Sequence, residues 1–365
     1  MRLLVLRFSS MGDVALLAPV LTTLASGHSN LSITLVTRKA YEPFFYNIPG
    51  VEVIGVNPDR DYRGLYGLYR LYRELRKLGP YSYGIDVHGS LRSRILKFYF
   101  RFSGLRFASI VKGRREKTQQ TRRKNKVLKP LPHMVERYMR VFDRAGAYIN
   151  PDDDRGPWIN PDTHCRAQAK QFLLAEKLGV RSNYWIGIAP FAGHAQKTWP
   201  LKHMRELLDL IRVRLDATVF LFGGGPKEVS VLKQLSEEFP NTVLVAGKLS
   251  LEGEMALFLK MHLVLAMDSF NMHLAALLGV PLLSIWGATH PYSGFGPYGR
   301  SESSIIQISP AQLSCRPCSI FGNKPCYRGD LACLNWITPE MVLQRIQETL
   351  AGAEYVQNED IPQTD

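Results

Sequence analysis

No stretch of this sequence is both apolar and long enough to span a bilayer, which takes about 20 residues. The apolar opening, 1–8, is interrupted by Arg2 and Arg7 and is too short for a signal-peptide core. No small-residue cleavage site follows it. A cytoplasmic protein is expected, with docking on a membrane surface left open. The dinucleotide fingerprint G-x-G-x-x-G and the phosphate-loop pattern G-x-x-x-x-G-K-[ST] are both missing. Nicotinamide-dependent and NTP-hydrolysing readings are weakened accordingly. An RNP-like aromatic set and a helix-turn-helix signature are missing too, so nucleic acid ranks low as a partner. Cysteine is scarce, with five residues, and a cytoplasmic setting argues against disulfides. Cys165 stands alone. Cys315, Cys318, Cys326 and Cys333 cluster, and four thiolates are one way to hold zinc. The second pair is spaced unusually widely, and reduced structural thiols are the alternative.

What is present points to a globular protein. Hydrophobic residues make up 45% and charged residues 21%, which is enough apolar material for a packed core. A length of 365 residues favours two domains. Lys and Arg exceed Asp and Glu by 46 to 32, a net charge of +14, which suggests a polyanionic partner. Much of the excess lies in one segment: Lys112, Arg114, Arg115, Lys117, Arg122, Arg123, Lys124, Lys126 and Lys129, opposed only by Glu116. Such a run is either a solvated mobile loop or an anion-docking one. Tyr62, Tyr66, Tyr69 and Tyr72 fit the packed face of a helix as well as interfacial anchors, so their spacing decides nothing.

Apolar runs at 2–8, 32–36, 51–56, 83–87, 185–189, 218–222, 242–245, 263–267 and 281–286 read as strands. Helical spacing separates most of them. This alternation predicts βαβ units and parallel sheets, an α/β fold in two successive halves. The Pro-, Asp- and Gly-rich stretch 150–161 is the best linker, and Asp152, Asp153 and Asp154 within it read as solvated linker. Domains are expected at 1–155 and 156–350, with a polar disordered tail over 351–365.

Four strand–loop–helix segments carry the polar residues that chemistry would need. Ser9-Ser10-Met11-Gly12-Asp13 follows the first strand, and a helix opening there suits an anion. Asp13 is either a helix cap or a catalytic carboxylate. The loop 192–200 holds Lys197, either a phosphate ligand or a surface lysine. Gly223-Gly224-Gly225 lets a ligand approach the backbone, and Glu228 either meets ribose hydroxyls or serves its own helix dipole. Asp268-Ser269-Phe270-Asn271-Met272-His273 opens another helix at a strand end.

Taken in order, these segments resemble the ADP-heptose:lipopolysaccharide heptosyltransferases, glycosyltransferase family 9. The resemblance runs through Arg7-Phe8-Ser9-Ser10-Met11-Gly12-Asp13-Val14, Asp86-Val87-His88, 133–138, Lys197-Thr198-Trp199-Pro200, 223–228 and 268–275, nearly the whole chain. It implies a GT-B fold, two Rossmann-like parallel-sheet domains facing across a cleft. It implies an ADP-heptose donor on the C-terminal domain and an anionic lipopolysaccharide acceptor on the N-terminal one, at the inner leaflet, with no cofactor. Asp13 would be the general base. Lys197, Glu228, Asp268, Ser269 and His273 would bind the donor. Ser10, Gly12, Asp86 and His88, with Arg122 and Arg123 of the basic segment, would bind the acceptor. The chain departs from the family pattern at Phe270, where a glycine is usual, and at Ala192-Gly193, where hydroxyl-bearing residues are expected.

Overall fold

Strands buried on both faces need continuous apolar runs, and the central strands here have them. In the computed structural model, which describes residues 1–28, 30–176 and 182–352, they form two parallel sheets. The first contains β1 (Arg2–Leu6), β2 (Ser32–Arg38), β3 (Val51–Val56), β4 (Tyr83–Asp86) and β5 (Phe107–Ser109), in the order β3-β2-β1-β4-β5. The second contains β6 (Tyr184–Ala189), β7 (Ala217–Leu221), β8 (Thr242–Leu244), β9 (Leu263–Met267), β10 (Leu282–Trp286) and β11 (Ile305–Gln307), in the order β11-β10-β9-β6-β7-β8. Both are doubly wound: each opens with its central strand, builds outward on one side, then crosses to the other. The reversal falls between β1 and β4, paired from Leu3↔Tyr83 to Leu6↔Asp86, and between β6 and β9. Ligands of such sheets bind beyond the carboxyl ends of the strands at that reversal.

The described chain divides into two units, 1–113 with 132–160, and 114–131 with 161 onward. One core of the first unit gathers Leu4, Leu6 and Phe8 with Leu68, Leu71, Leu75, Leu96 and Phe100 from the helices Gly64–Leu78 and Leu91–Phe102. A core of the second collects Ile186, Ile188, Trp199, Leu207, Leu265, Met267 and Ile285. The linker 150–161 is tied down in places, since Asp154 accepts from Trp158 Nε1 at 2.7 Å and Thr23 Oγ1 at 3.1 Å.

Some local expectations change. The helical stretch between β1 and β2 is two helices, Met11–Ala15 and Ala18–Gly27, with Pro19 in the first turn of the second where its missing N–H costs nothing. The edge strands β5 and β11, three residues each, are too short to show a period. Ala351 and Gly352 finish the helix Pro339–Gly352, and the rest of the expected tail, 353–365, lies outside the described residues.

The basic segment differs most. It was expected inside the first domain, as a loop, yet from Arg114 to Leu131 it belongs to the second unit, and it contains the helix Arg114–Gln120. Lys126 Nζ donates to the carbonyls of Ser314, Cys315, Arg316 and Pro317 at 2.8–3.0 Å. Gln120 donates to Tyr292 O at 2.9 Å and accepts from Ser293 Oγ at 2.9 Å. Buried Lys117 lies 4.2 Å from the Phe295 ring, and Arg123 stacks 4.4 Å over Tyr327. Lys117 and Lys126 are thereby held by their own unit and Arg123 leans on a ring, while Arg114, Arg115, Arg122, Arg123, Lys124 and Lys129 are exposed. Lys126→Met leaves four carbonyls without their ammonium. A loss of about 2 kcal/mol is expected. That corresponds to a fall of roughly 5 °C in Tm. An unchanged melting curve would mean the ammonium contributes nothing net.

Candidate active site

The first cluster sits where β1 and β4 end side by side. The chain leaves β1 through Arg7, a buried arginine, and enters the helix Met11–Ala15 with Ser10 as N-cap and Asp13 in the first turn. Asp13 is thus not the cap. Its Oδ2 pairs with Arg7 at 2.6 Å and accepts from Ser10 Oγ at 2.9 Å. Both contacts fall on one oxygen, Oδ2. Arg7 is itself held by the Val87 carbonyl and by the Tyr138 ring, 5.7 Å from its guanidinium. Tyr138, fully buried, donates to Asp13 O at 3.0 Å. It comes from the helix Met134–Asp143, whose N-terminus is capped by His133 and Glu136 acting reciprocally. The segment 133–138 thus supports Asp13 through Tyr138.

Asp86 ends β4 and has no exposed surface. Its Oδ1 accepts from the His88 and Gly89 amides at 3.0 and 2.8 Å, and Lys97 pairs with Oδ2 at 3.1 Å. An acceptor-binding role by direct contact does not fit this placement. Asp86 shapes the turn that presents His88, whose Nε2 lies 3.2 Å from Ser9 Oγ. Burial first, then the Arg7 guanidinium, pushes His88 from 6.5 down to about 4. It is neutral at pH 7.

The unfolded chain takes up a His88 proton near pH 6.5 that the folded chain refuses until about 4. Stability is full above that window and falls as pH drops through it. His290, lowered to about 4 by burial and then by Arg316, acts the same way. Glu254, raised to about 7 by burial, acts oppositely and favours the fold at low pH. His88→Gln should flatten the loss of Tm between pH 6.5 and 4 relative to the parent. Parallel curves for the two proteins would count against this role.

The second cluster sits where β6 and β9 end. Lys197, in the short helical turn Ala195–Lys197, pairs with Asp268 Oδ2 at 3.1 Å. Asp268 is buried and also accepts from Thr289 Oγ1 at 2.7 Å. The Lys197 stem crosses Gly322, where a Cβ would lie 2.5 Å from Lys197 Cγ and where φ is +73°. Arg316, fully buried, fixes the turn that carries Thr289 through the Gly287, Thr289 and Ile308 carbonyls. Ser269 caps the helix Phe270–Leu277 without using its side chain, and its buried Oγ finds no partner among the described residues. A hydroxyl and helix amides together make an anion site. His273 is buried in that helix's first turn. Glu228 Oε2 accepts from the Gly224 amide at 2.9 Å, so one of its oxygens serves the glycine turn.

A family model, glycosyltransferase family 9 (heptosyltransferase), matches residues 68–323. The chain belongs to glycosyltransferase family 9. It is 29% identical over 291 residues to lipooligosaccharide heptosyltransferase 2 of Haemophilus influenzae, covering 74% of this chain and 77% of the relative. The family 9 glycosyltransferase structure from Veillonella parvula superposes with a TM-score of 0.75 at 21% identity, over 96% of this chain and 98% of that one. The E. coli heptosyltransferase WaaC with ADP gives 0.64 at 24% identity, over 96% and 100%. The fold shared with these structures is GT-B.

In this glycosyltransferase the expected residues fall in two groups. Ser10, Gly12, Asp13, Asp86 and His88 gather in the first unit, and Lys197, Asp268, Ser269 and His273 in the second. Arg122 and Arg123, expected on the acceptor side, fold with the second unit, and Arg123 is occupied by Tyr327. The zinc candidate is corrected. Among the described residues no group of three or more His, Cys, Asp or Glu is arranged to hold a metal, and Cys315, Cys318, Cys326 and Cys333 are free thiols. Cys333 belongs to the core, and burial pushes its thiol up to about 12. Cys318 lies 3.9 Å from the Ala288 carbonyl. Thr289, Arg316, Gly322 and Lys97 were missed. They act across long sequence separations, and nothing local marks them.

Proposed function

We propose that this glycosyltransferase moves a heptose from ADP-L-glycero-D-manno-heptose to the inner core of lipopolysaccharide, with Kdo-lipid A or an early heptosylated core as acceptor. The observation that carries the reading is the pairing of chemistries. A positioned carboxylate, Asp13, ends one sheet, and a cation with an unused hydroxyl at a helix N-terminus, Lys197 with Ser269, ends the other. The H. influenzae relative bears a heptosyltransferase name, and the E. coli structure holds ADP.

In this reading Asp13 Oδ1 takes the proton from the acceptor hydroxyl as its oxygen bonds to the anomeric carbon. The bond from that carbon to the ADP oxygen breaks, and ADP leaves with its extra negative charge. Lys197 and the amides at Phe270–Leu277 stabilise that charge without requiring a metal. Asp268 and Thr289 hold the ammonium in place, so Asp268 acts through Lys197. Glu228 Oε1 would accept from a ribose hydroxyl. The acceptor's lipid end puts the enzyme at the cytoplasmic face of the inner membrane. No helix among the described residues is long and apolar enough to cross one.

Mass spectrometry of products from ADP-heptose and a set of truncated lipopolysaccharide acceptors tests the proposal. A mass gain of one heptose is expected, and no gain with any acceptor rejects it. Phe270, standing where the family usually has glycine, favours a second reading in which another nucleotide sugar is the donor. Thermal shift decides between them, since the first reading requires ADP to raise Tm more than UDP or GDP.

A further inference from the structure

Two neighbouring helices of the first unit, Gly64–Leu78 and Leu91–Phe102, bury one face in the core and leave unusual residues outside. Tyr66 is 80% exposed, Leu65 64%, Phe98 58% and Phe102 78%. Leu65, Phe98 and Phe102 join a chain of contacts, and Tyr66 follows Leu65 on the same helix. Tyr99 donates to Leu65 O at 3.3 Å and packs edge-on against Tyr69 at 5.5 Å. Phe98 lies 6.1 Å from Tyr99 and 4.8 Å from Phe102. Isolated exposed apolar residues are ordinary, whereas a contiguous aromatic patch marks an interaction surface.

The charge around the patch indicates what covers it. Arg63, Arg73, Lys77, Arg94 and Arg101 are exposed on or beside the two helices. Within the two helices the one carboxylate is Glu74, which accepts from Tyr62 at 2.6 Å and pairs with Arg70 at 3.6 Å, while Asp59, just before the first helix, is taken up by Arg38 and Arg92. A second copy of this chain would bring arginine against arginine. An anionic bilayer meets both features, because aromatic rings settle at the headgroup level and arginine stems lie along apolar surface with their heads on phosphate.

We propose that this aromatic and basic face docks the protein on an anionic lipid bilayer. The inference rests on the proposed function in that a lipid-borne acceptor gives the docking its purpose. It is distinct from the segment 112–129, of whose cations Lys117 and Lys126 are held internally.

Flotation with vesicles of phosphatidylethanolamine and phosphatidylglycerol tests it, with pure phosphatidylcholine as control. The parent should bind the anionic vesicles, less so as salt rises. Tyr66→Ser/Phe98→Ser/Phe102→Ser should lose binding about tenfold or more. Arg94→Ser/Arg101→Ser, which leaves the rings in place, should weaken binding and reduce its salt dependence. Equal binding by the triple variant and the parent overturns the proposal. So does a lipid-free dimer of the parent that the triple variant abolishes, since a second copy would then be the occupant. With a delipidated, water-soluble core oligosaccharide the triple variant should keep the parent's kcat/KM. If the parent transfers no heptose to that acceptor, the proposed function fails while the flotation result stands.

Discussion

Asp13→Asn is expected to lower kcat/KM for transfer about a thousandfold, the middle of the range for removing a general base. That is about 4 kcal/mol of transition-state stabilisation. Donor binding, measured by thermal shift with ADP, should not change. The substitution keeps the size of the side chain and leaves Ser10 a partner, so the protein should fold. Some stability should be lost, because Arg7 is buried and loses its counter-charge, though it keeps the Val87 carbonyl and the Tyr138 ring. Tyr138→Phe separates positioning from proton transfer. It removes only the bond to Asp13 O and should cost far less activity than Asp13→Asn. If Asp13→Asn keeps a tenth or more of the parent's activity, the carboxylate is not the base.

The second large effect is expected at Lys197. Lys197→Met should reduce kcat roughly a hundredfold, as loss of one charge-stabilising group does elsewhere. It should also weaken ADP binding. The single substitution strands a buried carboxylate at Asp268, which itself destabilises the protein. Lys197→Met/Asp268→Asn removes that complication. It should recover melting temperature without recovering activity. Recovery of both would show that Asp268, not Lys197, sets the rate. Gly322→Ala approaches the same group from outside the pair. A methyl there would sit 2.5 Å from Lys197 Cγ, on a backbone with φ of +73°. It should raise the donor KM with little change in acceptor KM, because it displaces the ammonium without deleting it.

The loops themselves were legible in the chain because each follows an apolar strand and precedes a helix. Any residue in such a loop must reach the carboxyl end of a parallel sheet. Asp13, Lys197 and Asp268 could be named on that ground, together with the family resemblance. Asp86 is legible only in part. It stands in a matching motif at a strand end, yet Lys97, which pairs with it, lies one helix later with no local sign of the partnership. The same holds for the basic run. Charge density alone described a loop facing solvent. The fold placed Lys126 beneath four carbonyls of 314–317, some 190 residues away.

Period and composition by themselves determined a two-unit α/β protein with parallel sheets, because strand and helix periods are local properties of the chain. Loop residues and their order determined the family, because the polar groups needed at a strand end are local as well. Tertiary structure alone decided which of those groups are open to a ligand and which are consumed by the protein. It left the buried Ser269 Oγ without a partner among the described residues, closed Asp86 and Cys333, and turned Tyr66 outward while burying Tyr72. Hydrogen-bond satisfaction and burial depend on partners distant in sequence, and only the packed chain brings those partners together.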